Sequence, residues 1–290
     1  MKFIKYETKE EFLADNLNIL LKDEAKNEIM IGITLEHDSE KVNKWLLGRI
    51  EDEDGVKIIF LVDDDREGLL VYSLEEIISD EVINCLVDNI IDLKIDLKEV
   101  LTSKANTKKI AEIYCEKANK KIYKSEFMYI FKFDKFREEH ILNEGEKIEK
   151  LEDKEENLKP AEENVREMYA DTYRGRYCSD EDATRVAKIF FRKGLYVLRN
   201  SDNEIVSQAV TVRKQVNGCA IGGVITLKKH RGHGYAKRCV YALCEILLQS
   251  GYKFIVLHVN PQNDAAISVY RKIGFDKIDE TEKVKFLIEP

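Results

Sequence analysis

The chain has few of the features that mark secreted, membrane-spanning or nucleic-acid-binding proteins. Its six cysteines (Cys85, Cys115, Cys178, Cys219, Cys239, Cys244) include no Cys-x-x-Cys pair and lie scattered, mostly inside apolar runs. That spacing excludes a disulfide framework and a paired-cysteine metal ribbon, so they read as reduced core residues. Met1-Lys2-Phe3-Ile4-Lys5-Tyr6 carries no secretory signal, and a cytoplasmic location is the expectation. No apolar run reaches the length needed to span a bilayer, so neither a transmembrane segment nor a membrane partner is expected. Positive charge is not in excess: 47 Lys and Arg face 55 Asp and Glu, for a formal charge of −8. Basic residues are interleaved with acidic ones and form no stripe with interspersed aromatics, which argues against a nucleic-acid partner. Short-period repeats are missing, and no low-complexity tract occurs beyond one charged stretch.

That charged stretch organises the chain. Residues 135–163 are crowded with Glu and Lys, and the first of only three prolines, Pro160, falls within it. Runs of this kind are solvated helix or linker. At 290 residues the chain can hold two separate cores. The expected division is a domain over 1–135, a charged linker over 136–145 and a second domain over 146–290. In the first domain the pattern predicts strands near 2–6, 56–62, 68–72 and 125–133, with helices over 9–21, 39–49, 80–91 and 107–118. The alternation indicates an α/β layer with a mixed sheet.

Chemistry gathers in the second half. Gly218-Cys219-Ala220-Ile221-Gly222-Gly223-Val224-Ile225-Thr226-Leu227 reads as a strand. Arg231-Gly232-His233-Gly234-Tyr235-Ala236 follows as a glycine turn, and Tyr235–Gln249 reads as a helix with apolar residues at 236, 240, 243, 246 and 247. The first amides of a helix lack internal partners and sit at the positive end of its dipole, so a turn of this kind can cradle a pyrophosphate. Taken alone, the hexapeptide fits a surface turn equally well. A second element follows: the apolar strand Phe254–Val259, the turn Asn260-Pro261-Gln262, and a helix from Asn263, a candidate N-cap, to Gly274, a candidate C-cap.

With these two motifs in this order and spacing, Arg-x-x-Gly-x-Ala at 231–236 and Asn-x-x-Ala-x-x-x-Tyr-x-x-x-Gly-Phe at 263–275, the chain resembles the GCN5-related N-acetyltransferases (GNAT), in particular two-domain bacterial ones. The resemblance implies an α/β (α+β) fold with a mixed, mostly antiparallel central sheet flanked by helices, and an N-terminal domain of similar, degenerate topology. Where a phosphate turn should follow Gly68–Tyr72, that first half reads Ser73-Leu74-Glu75-Glu76-Ile77-Ile78-Ser79-Asp80, without a glycine turn and with carboxylates that repel pyrophosphate. It is expected not to bind cofactor but to pack against the other domain and shape a wall of the acceptor site.

The implied activity is N-acetyl transfer from acetyl-CoA to a primary amine, directly in a ternary complex and without a metal. Such a site must hold both reactants, stabilise the oxyanion, accept the amine proton and protonate the departing thiolate. By resemblance the backbone of Val224, Ile225 and Thr226 pairs with the pantetheine arm. Gly232, His233, Gly234, Tyr235, Ala236 and Lys237 surround the pyrophosphate, Arg231 opens the motif, and Asn263 contacts the cofactor, with N-capping as a second reason for its presence. Tyr270 takes the place of the family's acid, or else is a packed core tyrosine. His258 can serve as base or simply pack in its strand; the strand 219–227 has no acidic residue to carry over, so proton removal is left to His258, to a residue from the N-terminal half or to a chain of waters. The expected acceptor surface lies around Met168–Phe191, including Tyr169, Tyr173, Arg174, Arg176 and Tyr177, together with 275–288. Small amines, amino acids and peptide N-termini all remain as acceptors, and the chain is expected to be a monomer or homodimer. Two other functions keep the same turn: acyl-CoA sensing without catalysis, and transfer of a longer acyl group.

Overall fold

The computed structural model describes residues 1–64, 67–139, 142–172 and 177–287. The first half begins with β1 (Lys2–Tyr6) and α1 (Lys9–Leu20). Thr8 starts α1 with a reciprocal capping box, its hydroxyl accepting from the Glu11 amide while Glu11 reaches back to the Thr8 amide. There follow α2 (Glu28–Glu36), the short α3 (Ser39–Val42), β2 (Leu46–Asp52), β3 (Gly55–Val62), β4 (Gly68–Ser73), α4 (Asp80–Asp92), β5 (Glu99–Ser103), α5 (Lys104–Ala118) and β6 (Ile122–Phe133). The second half runs β7 (Lys147–Leu151), α6 (Glu155–Thr172), α7 (Asp180–Lys193), β8 (Leu195–Arg199), β9 (Ile205–Lys214), β10 (Gly218–Thr226), α8 (Tyr235–Gln249), β11 (Phe254–Val259), α9 (Asp264–Ile273) and β12 (Asp276–Phe286).

Both halves follow one plan: a strand, a helical layer, a three-strand meander, a helix, a strand, a helix and a last strand. The pairings repeat too. β1 and β7 run antiparallel to β2 and β8, the meanders are antiparallel, and β4–β5 and β10–β11 are parallel pairs. A parallel pair needs a crossover, which α4 and α8 supply. The fold is therefore the expected mixed, mostly antiparallel α/β sheet with flanking helices, twice over.

Contacts divide the chain into two compact units, and the division is not a single cut. One unit comprises Met1–Ile130, Val259–Gln262 and the segment from Ile278 onward; the other comprises Phe131–His258 and Asn263–Lys277. In the first unit the strand order is β1-β2-β3-β4-β5-β12-β6. Thr281–Lys285 of β12 pair antiparallel with Ser103–Glu99 of β5. The order in the second unit is β11-β10-β9-β8-β7.

In the first unit both faces of the sheet are covered, and β3 shows it residue by residue. Ile58, Phe60 and Val62 join the cluster containing Val82, Leu86 and Ile110 from α4 and α5, while Ile59 and Leu61 join Phe12, Leu20 and Ile31 from α1 and α2. Alternate side chains point to opposite faces, so a strand buried on both sides is apolar throughout. In the second unit α6 and α7 cover one face through Ala161, Val165, Ala183, Ala187 and Phe191 against Leu195, Val197 and Val210. The helix α8 packs on β8, β9 and β10 and against α9.

Two sequence expectations need correction. Residues 39–49 are not one helix: α3 ends at Val42, and Leu46–Asp52 is a strand between β1 and β3. The apolar run is too short for its period to discriminate, and its two non-local partners decide. Nor is the stretch expected to be solvated wholly free. Lys147–Leu151 is a strand, and Phe136 stacks on Tyr241 of α8 at 4.0 Å between ring centroids.

The α7 start offers a stability test. Ser179 Oγ accepts from the Asp182 amide at 3.0 Å and donates to the Asp182 carboxylate at 3.1 Å. Replacing it with alanine orphans that amide, and Ser179→Ala is expected to lower the unfolding free energy by about 1 kcal/mol in urea titration, with an unchanged slope.

Candidate functional site

The site is built where β10 and β11 stop pairing. Their parallel ladder joins Gly218–Ala220 to Phe254–Val256, and beyond it β10 continues to Thr226 and β11 to Val259. Over that same distance β10 also slips against β9, with register shifts at Ala220/Ile221 and between Gly222 and Ile225. Buried side chains fix the irregularity. The Gln208 amide accepts from Asn164 Nδ2 at 2.8 Å and donates to the Gly223 carbonyl at 3.1 Å, and Ser207 Oγ donates to the Ile225 carbonyl at 3.0 Å. The bulge carrying Val224 is thus pinned from the β9 side, which leaves the strand able to aim backbone groups elsewhere.

After β10 the chain makes a helical turn at Lys228–His230 and enters the glycine turn. Gly232 and Gly234 have φ of +83° and +73°, left-handed values that glycine adopts without cost. Among the described residues, no atom lies within 4 Å of where a Cβ at Gly232 would stand. Gly234 is the N-cap of α8, and among the described residues no side chain caps that helix. Its first amides are therefore available to an outside acceptor. The corresponding helix of the first half differs: Ser79 caps α4 by accepting from the Val82 amide at 3.4 Å, ahead of Asp80 and Glu81.

Charged groups brace the turn. The Arg231 guanidinium donates to the Thr226 carbonyl at 3.0 Å and pairs with Glu167 at 3.3 Å and with Asp171, both on α6. Glu167 also accepts from the Lys228 amide. Lys237 lies 3.5 Å from Glu138, and His233 Nδ1 lies 3.3 Å from the His230 carbonyl. Arg238, just inside α8, is buried and donates to the His233 carbonyl at 3.0 Å and to Glu146 at 2.8 Å. Sequence reading passed over Arg238, Glu146, Gln208 and Asn164, because their partners are distant along the chain. The one local signal was the charged pair Lys237-Arg238 in the first turn of a mostly apolar helix.

Tyr270 lies on α9, 7% exposed, with its ring 5.7 Å from that of Phe275. Burial, and secondarily the Cys244 thiol, push the phenol well above its ordinary pKa, so it holds its proton throughout the neutral range. Asn263 caps α9, its Oδ1 accepting from the Ala266 amide at 3.1 Å. His258 is half-buried near the end of β11. All of the residues named for cofactor binding and catalysis fall in the second compact unit. Of the expected acceptor residues, Tyr169 packs at the edge of the α6–α7 core and Tyr177 is 83% exposed. Tyr173, Arg174, Arg176 and residue 288 lie outside the described residues. Among the described residues no group of three or more His, Cys, Asp or Glu is placed to hold a metal ion, and no helix is long and apolar enough to cross a membrane.

Residues 162–275 match the sequence model of the Acetyltransferase (GNAT) family. A search of curated protein sequences finds no match. Solved structures similar to the whole chain include a GNAT-family acetyltransferase from Colwellia psychrerythraea (15% identity, TM-score 0.55, covering 99% of this chain and 100% of that one). Another is a GCN5-related N-acetyltransferase from Sphaerobacter thermophilus (13%, 0.56, 98% and 95%). A third is a tandem GNAT protein from the clavulanic acid biosynthesis pathway (12%, 0.51, 100% and 99%). At these identities the likeness is one of fold, and it extends over both halves. Residues 162–275 accordingly carry the sequence pattern of the Acetyltransferase (GNAT) family, in a chain that has the fold of GNAT proteins, tandem ones included, along its full length.

Proposed function

We propose that the protein transfers an acetyl group from acetyl-CoA to a primary amine, directly within a ternary complex, and that its second half alone holds the donor. One observation carries the reading. The two halves share a topology, but only α8 begins uncapped behind two left-handed glycines, where α4 begins with its own serine and two carboxylates. The turn is open to an anion, since Gly232 is exposed and no described residue has an atom within 4 Å of where its Cβ would stand.

When bound, acetyl-CoA supplies the thioester whose carbonyl carbon the amine attacks. The amides from Gly232 to Lys237 hold the pyrophosphate, while Arg231 shapes the turn through its ties to Thr226 and α6. The Val224–Thr226 backbone pairs with the pantetheine arm as an added strand, and the Val224 amide steadies the developing oxyanion. Asn263 commits its carbonyl oxygen to the helix cap, which leaves its NH2 group to donate to the cofactor. His258 takes up the amine proton as the general base. Tyr270 gives its proton to the leaving sulfur. The dry surroundings that raise the phenol would raise the basicity of a thiolate formed beside it in the same direction, so the two shifts offset one another.

Calorimetric titration with acetyl-CoA, followed by thiol release across small amines, amino acids and peptides, tests the reading. Tyr270→Phe is expected to bind acetyl-CoA as the wild type does and to lower kcat by about 10²-fold. Full turnover in that variant removes the tyrosine from the chemistry. Binding without turnover on any amine would turn the assignment to a sensor, and tighter binding of longer thioesters to a longer acyl donor.

A further inference from the structure

Arg238 and Glu146 form an ion pair with side chains only 10% and 5% exposed, its Nε lying 2.7 Å from one carboxylate oxygen and its Nη2 donating to the other at 2.8 Å. Taking two charges out of water is costly, and a pair of apolar residues of similar volume fills a core at least as well. The pair nevertheless sits directly beneath the glycine turn. Its third contact explains its position: Nη1 donates to the His233 carbonyl at 3.0 Å, while the Arg238 backbone amide donates to the Gly234 carbonyl at 3.2 Å. One residue thus holds two consecutive carbonyls of the turn. In a trans peptide the N–H points opposite to the C=O, so drawing the carbonyls of 233 and 234 toward Arg238 turns the amides of Gly234 and Tyr235 away from it.

The carboxylate partner is itself fixed. Glu146 accepts from the Asn143 amide at 2.9 Å and from Asn143 Nδ2 at 3.2 Å, and the guanidinium lies 4.7 Å from the Tyr235 ring centroid. Because Glu146 neutralises Arg238, the arginine lends the turn direction more than charge.

We propose that Arg238, locked by Glu146, is a positioning residue that aims the Gly234 and Tyr235 amides at the donor's pyrophosphate, so that residues just before β7 set the donor's affinity. This rests on the donor assignment made above.

The decisive variant is Glu146→Met combined with Arg238→Met, which removes both charges and keeps the volume. It is expected to melt at or above the wild-type temperature and yet to bind acetyl-CoA about 30-fold more weakly by calorimetry, the loss of one or two charge-assisted hydrogen bonds. S-acetyl-pantetheine, which lacks the pyrophosphate, should bind both proteins alike. Arg238→Lys keeps the charge but cannot hold Glu146 and the His233 carbonyl together, and should lose about fivefold with little change in melting temperature; it reads the same quantity if the double variant fails to fold. Binding of acetyl-CoA by either folded variant within twofold of wild type overturns the proposal. So does an equal loss for S-acetyl-pantetheine, which would make the pair general packing. A wild-type protein that does not bind acetyl-CoA overturns the donor assignment first, and this inference with it.

Discussion

A Gly232→Glu variant is expected to bind acetyl-CoA at least about 10³-fold more weakly than the wild type while its melting temperature moves by only a few degrees. The two halves of that expectation have separate causes. Gly232 is exposed, and no described residue has an atom within 4 Å of the position its Cβ would take, so the added side chain meets no obstacle among them. Its φ of +83° imposes a left-handed strain of about 1–2 kcal/mol, which accounts for the small thermal shift. The carboxylate, however, enters the space assigned to the pyrophosphate. At about 5 Å and an effective dielectric constant of about 20, each phosphate charge is repelled by about 3 kcal/mol, and salt screening leaves enough of the two together for the expected loss. Gly232→Ala carries the strain without the charge and should cost less than about tenfold, since strain shared by free and bound states cancels. Calorimetry on the three proteins decides: a glutamate variant within tenfold of wild type would mean that the turn does not receive the anion.

Gly274→Ala should lower the unfolding free energy by about 4 kcal/mol. Gly274 ends α9 at φ +134°, and its amide donates to the Tyr270 carbonyl at 3.1 Å. A methyl group there would stand 2.3 Å from the Lys135 carbonyl oxygen and 3.3 Å from the Arg137 nitrogen. The obstacle is backbone, and it is anchored. The Arg137 amide donates to the Ile273 carbonyl at 3.1 Å, its guanidinium donates to the Arg271 carbonyl at 2.9 Å and to Asp276 at 2.5 Å, and Phe136 is stacked on Tyr241. The segment cannot retreat without giving these up, so steric overlap of about 1–3 kcal/mol adds to the backbone strain. Gly251→Ala is the control: φ is +96° but nothing lies within 4 Å, and about 1 kcal/mol is expected. Urea midpoints give both values, and a Gly274→Ala cost no larger than that of Gly251→Ala would show that the segment yields freely.

Much of the second half was legible because its signals are local. The turn glycines, the apolar face of Tyr235–Gln249, the β-branched Phe254–Val259 and the Asn263 cap each announce an element within a few residues, and the structure places those elements there. The elements that were missed depend on distant partners. Leu46–Asp52 becomes a strand because β1 and β3 lie on either side of it, and Glu99–Ser103 because β4 and β12 do. The α2 helix has apolar residues on nearly every side, so it offers no period to read. The same holds in the site. His233 and Gly234 stand out by composition, but the residue that orients their carbonyls is recognisable only once Glu146 is seen beneath it. Charge runs read as solvent-facing because most are; at Glu146 and Arg137 the charges instead complete a helix or a turn.

The return of β12 to β5 has a practical consequence for anyone cutting the gene. A fragment that stops at residue 135 exposes one flank of Glu99–Ser103 along its length, an open edge able to recruit a strand from a neighbouring molecule. Supplying a peptide of residues 276–287 in trans should suppress the aggregation of that fragment.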